Sequence, residues 1–460
     1  MLKDVELSNI FTEDPCDYVN YMVGNYFLVP ENYDEEYILK VIKDRKVVPL
    51  TDNYLDHPSI FTILTTSACN ARCFYCYELG LKGKSHMSAE TAEKVAKYII
   101  NYANVNGQIT LDWFGGEPLF NNKVIDIITS RIASAGINFR SSMVSNGYLF
   151  DEKMVKKAKD DWRLTNVQIT LDGTEEIYNK TKNYIYKDCD SPFKKVITNI
   201  HLLLDLDISV SIRMNCDKHN TEDLSNLVDY LSDEFKDEVN LSMYVWPIFE
   251  DDNYHRTPEE RKKLFEALEA IEGHMMSKGI DVGHNIGMDI KGVHCMIDSG
   301  NAICIYPKGE IGVCEHYLDS RFVSHIDNPT EKNWEVLKEW RKFTPYTELC
   351  DDCPLKPECL KAIGCPDEMP CDEYQKHYTI KHYIYDIKRR YEQFKKNQNE
   401  QNCNGSCQCS PHSPICPPHN DMQPTAQQCP KHSPVCPPHY EGGVLQRIFS
   451  DGRVEYITNQ

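Results

Sequence analysis

The chain has 460 residues, a formal net charge of −20 and 20 cysteines, so we expect two or three domains and a large core. The acidic balance disfavours a nucleic-acid partner, which needs a basic face, but is compatible with a basic peptide. Without an apolar run of about 18 residues or a signal core, we expect no membrane span, a cytoplasmic location, and cysteines that bind metal rather than form disulfides.

Residues 1–57 form a predicted N-terminal extension. The segment Tyr26–Pro30 is typical of a short strand, and Asp34–Asp44 of a helix. Two interpretations stay open for this extension, a packing element or a small peptide-docking element. Cys16 stands alone and is expected to be a free thiol.

Residues 58–255 alternate between predicted strands and amphipathic helices such as Lys123–Ala135 and Glu222–Phe235. Repeated strand–helix units imply a parallel sheet, which right-handed crossovers would curl into a partial (β/α)6 barrel of the α/β class. The predicted strands are Phe61–Thr65, Ile109–Trp113, Asn138–Val144, Val167–Leu171, Ile208–Met214 and Val239–Trp246.

Cys69, Cys73 and Cys76 follow the first predicted strand with CxxxCxxC spacing. Iron–sulfur clusters normally take four thiolates, so three cysteines can hold a [4Fe–4S] cluster while one iron stays open to chelate a small molecule. The loop lies at the carboxyl end of a strand, where parallel α/β folds bind cofactors. Ser88 is a plausible N-cap of the helix that follows. A zinc knuckle or a chance spacing are the alternatives.

This cysteine loop resembles the cluster loop of the radical S-adenosylmethionine (SAM) enzymes. Gly115-Gly116-Glu117-Pro118, after the second strand, is similar to the GGEP motif of that family. The resemblance implies that this backbone and its glutamate meet the amino group of SAM. An ordinary strand-to-helix turn is the alternative.

Three further strand ends fit the same family. Ser145-Asn146-Gly147 looks like the SNG turn, whose hydroxyl and amide contact SAM, although Asn-Gly is also a simple turn dipeptide. Leu171-Asp172-Gly173 resembles the LDG motif, which would place Asp172 at the mouth of the active site. Arg213 would pair with the SAM carboxylate or form a structural salt bridge, since a buried unpaired charge is costly.

Residues 256–396 contain a predicted helix at Thr257–Lys278, a cysteine-dense loop region and a terminal helix at Asp372–Lys396. The cysteines resemble those of the SPASM domain, which holds two auxiliary [4Fe–4S] clusters in peptide-modifying radical SAM enzymes. Carried over, the first set is Cys295, Cys314 and Cys365, with Cys304 as a fourth ligand or a buried thiol, and the second is Cys350, Cys353, Cys359 and Cys371. Glu315 is a candidate base. Two structural zinc sites are the alternative.

Residues 397–460 form a predicted tail rich in Cys, Pro and His. Gln408–His419 recurs as Gln428–His439 with nine of twelve positions identical. Such proline density favours extended backbone. The tail is interpreted as a metal-binding tract, a substrate-like segment or an inert linker, and Leu445–Ile457 as a β-hairpin over Asp-Gly.

Together these patterns predict a radical SAM/SPASM maturase that installs a thioether crosslink in a Cys-rich ribosomally made peptide. The resemblance implies one SAM-binding and two auxiliary [4Fe–4S] clusters, and a reducing donor of the flavodoxin or ferredoxin type. A sulfatase-maturating enzyme, which makes formylglycine, is the first alternative, although Glu315-His316 stands where that family has an Asp. A non-catalytic iron–sulfur or zinc scaffold that binds peptides is the second.

Overall fold

The computed structural model describes residues 34, 37, 50–78, 84–104, 107–217, 220–248, 257–282, 296–316, 321–340, 347–351, 353–355, 371–403, 439–441, 444–448 and 454–457. Several predictions fall outside these residues. They are the strand Tyr26–Pro30, nearly all of the helix Asp34–Asp44, Cys16, Cys295, Cys359, Cys365 and almost the whole tail repeat.

The six predicted strands are all present, with ends shifted by at most three residues, because each carries apolar or β-branched side chains that are buried in the core. They are β1 (Ile60–Thr66), β2 (Ile109–Gly115), β3 (Phe139–Ser145), β4 (Leu164–Thr170), β5 (Ser209–Cys216) and β6 (Leu241–Pro247). The helices among them are α1 (Ala89–Tyr102), α2 (Asn122–Ser134), α3 (Glu152–Asp160), α4 (Glu175–Lys182), α5 (Pro192–Asp205) and α6 (Thr221–Glu234). Ser88 caps α1, since its Oγ accepts from the Thr91 backbone N–H at 3.0 Å.

Among the described residues, these strands belong to one nine-stranded sheet with the order β6-β5-β4-β3-β2-β1-β7-β8-β9. The added strands are β7 (Ala302–Ile305), β8 (Glu310–Gly312) and β9 (Ser324–His325). Strands β1 to β7 pair in parallel, and β8 and β9 are antiparallel. The predicted α/β class is confirmed. The extension past β1 was not predicted, because β7 pairs with a strand about 240 residues earlier in the chain.

The two faces of the sheet differ in polarity. Side chains paired across parallel strands point to the same face. One row of paired residues is apolar and buried under the helices: Ile63, Trp113, Met143, Val167 and Val210. The next row is polar: Thr62, Asp112, Ser142, Asn166 and Ser209. Most of this polar row is only partly buried, so the sheet presents an open polar face next to the cysteine loop.

The C-terminal part of the described chain is largely helical. It contains α7 (Pro258–Ser277), α8 (Met296–Ser299), α9 (Trp334–Trp340) and α10 (Glu373–Cys403), the last running seven residues beyond its predicted end. Residues Ile42–Arg390 form one compact unit. A second unit includes β10 (His439–Glu441), β11 (Val444–Ile448) and β12 (Val454–Ile457), and β11 pairs antiparallel with β12 as the predicted hairpin requires. None of the described helices has the length and hydrophobicity needed to cross a membrane. The four-part domain division stays a prediction.

Candidate active site

The cysteine loop, residues 69–76, leaves β1 at the carboxyl edge of the sheet. Cys69, Cys73 and Cys76 are each half-buried. The pKa of Cys69 is raised to about 12, mainly by burial, and the charges of Glu117 and the other two thiols contribute to this increase. Three thiolates this close are therefore unfavourable alone, and a bound cationic iron centre would offset their repulsion.

The residues of the cysteine loop are compatible with a bound iron–sulfur cluster. No three of the described His, Cys, Asp and Glu side chains converge on a single metal ion. A cluster does not require such convergence, because each thiolate binds a different iron. Three buried atoms in or beside the loop, Asn70 Nδ2, Tyr77 Oη and Glu78 Oε2, have no hydrogen-bond partner among the described residues. Polar groups in such positions normally have partners, so the loop fits a bound polar group.

The predicted GGEP turn packs directly on the loop. The Gly116 N–H donates to Thr66 O at 2.9 Å, and the Glu117 N–H donates to Ala68 O at 3.0 Å. A Cβ atom on Gly116 would lie 2.5 Å from Ala68 O. Glycine is therefore required here so that the end of β2 can approach the cysteine loop. The motif resemblance instead implied that this backbone meets SAM. Pro118 opens a short 3₁₀ helix, Pro118–Asn121.

Glu117 connects the GGEP turn to the SNG turn. Its Oε1 accepts from Ser145 Oγ at 2.9 Å and from the Leu119 N–H at 3.1 Å, and its Oε2 accepts from the Asn146 N–H at 2.8 Å. Burial outweighs the opposing effect of these donors, so that the pKa of Glu117 is raised to about 7. Asn146 Nδ2 in turn donates to Asn70 Oδ1 at 2.7 Å. The two predicted SAM motifs and the cysteine loop thus form one hydrogen-bonded unit.

Asp172 is buried beside the cysteine loop. It is 1% exposed and forms an ion pair with Lys182, whose Nζ lies 2.8 Å from Asp172 Oδ2. Tyr75, inside the cysteine loop, donates to the same oxygen, and Asn215 Nδ2 donates to Asp172 Oδ1 at 3.0 Å. The position of Asp172 at the mouth of the active site and its catalytic role both stay predictions.

Lys182 is the site residue that the sequence did not indicate. It ends α4, in the segment Glu175–Lys182, where four of eight residues are charged and exposure is the ordinary expectation. The signal that was available is its position ten residues after Asp172, on the helix that follows the LDG turn. Position alone does not reveal that the side chain turns inward.

Arg213 lies on the polar face of the sheet. Its Nε donates to Asn215 Oδ1 at 2.9 Å, and Asn215 bonds to Asp172. Across the register, Arg213 pairs with Thr170 and with Tyr244, whose hydroxyl donates to Gln168 Oε1 at 2.7 Å. The predicted contact between Arg213 and the SAM carboxylate stays a prediction.

One described segment of the C-terminal cysteine-dense region contacts a residue next to the cysteine loop. His316 stacks on Tyr77 with ring centroids 5.2 Å apart, which brings Cys314 and Glu315 beside the loop. Burial raises the pKa of Asp112 on the polar face, and the charge of Glu315 adds to this increase. Glu315 is therefore electrostatically coupled to the open face of the sheet.

The other predicted auxiliary ligands are only partly described. Cys304 is fully buried within β7, where its Sγ lies 4.0 Å from Met296 Sδ, as the buried-thiol alternative requires. Cys350, Cys353 and Cys371 are half-buried. Whether these thiols bind two auxiliary clusters stays a prediction.

Parts of this chain are similar in sequence to known proteins. Residues 63–231 match the Radical SAM superfamily model. An uncharacterized protein of Methanocaldococcus jannaschii, MJ0907, is 31% identical over 30% of this chain and 52% of its own length. A probable GTP 3′,8-cyclase of Methanococcus maripaludis is 31% identical over 28% of this chain and 42% of its own. The chain thus spans about half or less of the length of these curated relatives.

Solved structures of other proteins share the fold of this chain. Native anSMEcpe with bound AdoMet superposes with a TM-score of 0.53 at 20% identity, covering 72% of this chain and 97% of that one. The same enzyme with AdoMet and the Kp18Cys peptide gives a TM-score of 0.52 at 20% identity over 72% and 98% of the two chains. Identity this low shows the shared fold alone. The superfamily match identifies a radical SAM domain at residues 63–231, and the solved structures share its fold.

Proposed function

We propose that this chain is a maturase that modifies a cysteine-containing, ribosomally made peptide by radical SAM chemistry, with a thioether crosslink as the product. The observation that carries the proposal is the hydrogen-bonded unit of cysteine loop, GGEP turn and SNG turn at the carboxyl edge of the sheet. In it, Glu117 joins Ser145 and Asn146, and Asn146 joins the loop at Asn70.

Cys69, Cys73 and Cys76 would hold the [4Fe–4S] cluster, and Gly115–Pro118, Ser145, Asn146 and Arg213 would surround SAM. When bound, the cluster and SAM together supply a 5′-deoxyadenosyl radical that abstracts hydrogen from the substrate. The chain's own contribution is placement. The Glu117 carboxyl group, buried and held by three donors, has a fixed position from which its oxygens can accept from an ammonium group.

A peptide substrate is supported by the open face of the sheet. Its row of Thr62, Asp112, Ser142, Asn166 and Ser209 offers hydroxyl, amide and carboxylate groups suited to backbone N–H and C=O groups. The fold shared with anSMEcpe, which has been solved with the Kp18Cys peptide, agrees with this choice. An acidic chain also favours basic peptides.

Auxiliary clusters in a SPASM domain are the second part of the proposal. The stacking of His316 on Tyr77 supports it, because Cys314 then lies beside the loop. Three clusters would give about twelve irons per chain after anaerobic reconstitution, and one cluster about four. Zinc in place of iron at the C-terminal cysteines would support the structural-zinc alternative.

Sulfatase-type maturation, the first alternative left open by the sequence motifs, is the second candidate function. That family carries an Asp after the cysteine equivalent to Cys314, where this chain has Glu315-His316. The name GTP 3′,8-cyclase belongs to relatives that match 27% to 40% of this chain, so GTP serves as a comparison substrate in the test.

The test is an accurate mass of the proteolytic 397–460 tail from reconstituted enzyme, with and without SAM and reductant. Loss of two hydrogens per event, with cysteines protected from alkylation only when SAM is present, supports thioether formation on the chain's own tail. An unchanged tail with released 5′-deoxyadenosine directs the assay to separate Cys-rich peptides. Formylglycine in a Cys-containing sulfatase peptide, or turnover of GTP, would contradict the proposed product.

A further inference from the structure

Lys182 has an unusual environment for a lysine. Its side chain is 3% exposed and lies under the cysteine loop. The Nζ atom is 2.8 Å from Asp172 Oδ2 and 3.1 Å from Tyr75 Oη. Lysine is almost never fully buried unless it is paired, and removing one partner of a buried pair is strongly destabilising. The chain therefore places this charge here at a cost that a surface ion pair would avoid.

The end of α4 is joined to the cysteine loop on both sides of Cys73. The Arg72 N–H donates to Lys182 O at 2.7 Å, and the Ile185 N–H donates to Asn70 O at 2.9 Å. On the other side, the ammonium of Lys182 holds the hydroxyl of Tyr75. A movement of Lys182 would therefore move the loop segment that carries Cys73.

The ammonium of Lys182 also lies close to the segment that carries Cys73. Its Nζ is 3.1 Å from the hydroxyl of Tyr75, two residues after Cys73. The backbone carbonyl of Lys182 accepts from the N–H of Arg72, the residue before Cys73, at 2.7 Å. A cation beside a cluster favours the more negative, reduced state, and nearby charge is one of the factors that set cluster potentials.

We propose that Lys182 is a positioning residue that holds the cysteine loop through Tyr75 and Arg72 and favours one-electron reduction of the cluster bound there. The electron comes from the external reductant, and no bond to Lys182 forms or breaks. This inference rests on the proposed function, because it requires a cluster on Cys69, Cys73 and Cys76. Lys182 would thus change the reduction potential of the cluster by its charge and not by binding iron.

The test is a potentiometric titration of the reconstituted protein, followed by the electron paramagnetic resonance signal that the Cys73→Ala variant lacks. Lys182→Met should lower the equilibrium constant for reduction about tenfold, a shift of about 59 mV for one electron. Asp172→Asn should shift the potential in the opposite direction, and Lys182→Arg should stay near wild type. Lys157→Met is the matched control, since Lys157 pairs with Asp126 at 2.6 Å on the surface.

Opposite shifts for the two variants support the inference, because a purely structural role would not reverse sign. Shifts in the same direction, or no shift in either, overturn it. If Lys182→Met does not fold, the upward shift in Asp172→Asn decides the outcome. A failure of the proposed function is distinguishable, since Cys73→Ala would then keep the wild-type iron content and signal.

Discussion

Replacing Gly116 with alanine tests the contact between the GGEP turn and the cysteine loop. The added Cβ would lie 2.5 Å from Ala68 O, 2.7 Å from Ala68 C and 3.0 Å from Ser67 C. All three atoms are backbone, so no flexible side chain can move aside. Overpacking costs about 1–3 kcal/mol, and loss of the hydrogen bond from the Glu117 N–H to Ala68 O adds about 1 kcal/mol. The free energy of unfolding should therefore fall by about 2–4 kcal/mol.

Urea unfolding of the apoprotein measures this loss, and iron content after anaerobic reconstitution reports the state of the loop. Gly273→Ala is the matched control, because Gly273 is exposed within α7 and its added Cβ meets no atom within 4 Å. That control should gain about 0.5–1 kcal/mol from better helix propensity. A Gly116→Ala protein with wild-type stability and wild-type iron content would refute the packing argument.

Two other changes have defined outcomes. Burial raises the pKa of Glu117 from 4.5 to about 7, so the folded apoprotein binds this proton more tightly than the unfolded chain does. The resulting penalty is absent below about pH 4.5 and grows to about 3 kcal/mol as the pH rises to about 7. Glu117→Gln should flatten the dependence of urea unfolding on pH between 5 and 7.5, and an unchanged slope would contradict the assignment. Ile212→Ala removes a fully buried side chain of β5 and should cost about 2–5 kcal/mol in the same assay, whereas Ile384→Ala, at 44% exposure, should cost under about 0.5 kcal/mol. Equal losses for the two isoleucine variants would show that β5 does not form the core described.

Local sequence patterns were sufficient to predict the strands and the motif turns. The apolar, β-branched run Ile60–Thr66 forms a strand, and the Ser88 side chain caps the start of α1, so both can be predicted from neighbouring residues alone. Parallel strands end at one edge of a sheet, so the motifs that follow β1, β2 and β3 lie close together there, as the contacts among Glu117, Ser145 and Asn146 show.

Contacts that depend on distant parts of the chain could not be predicted in the same way. Strand β7 is four residues long and lies in a region that the composition marks as loop-rich, and only its pairing with β1 makes it part of the sheet. The burial of Lys182 depends on Asp172 and Tyr75, which come from two other loops. The polar face of the sheet depends on the register between neighbouring strands, which aligns polar residues from distant parts of the chain.

The central claim is that Cys69, Cys73 and Cys76 hold a cluster that cleaves SAM. The most direct measurement is 5′-deoxyadenosine released by the anaerobically reconstituted chain with SAM and reductant, for wild type, Cys73→Ala and Cys436→Ala. We expect release by the wild type and by Cys436→Ala, and none by Cys73→Ala. Equal release by wild type and Cys73→Ala, or no release by any of the three despite full iron loading, would contradict the claim.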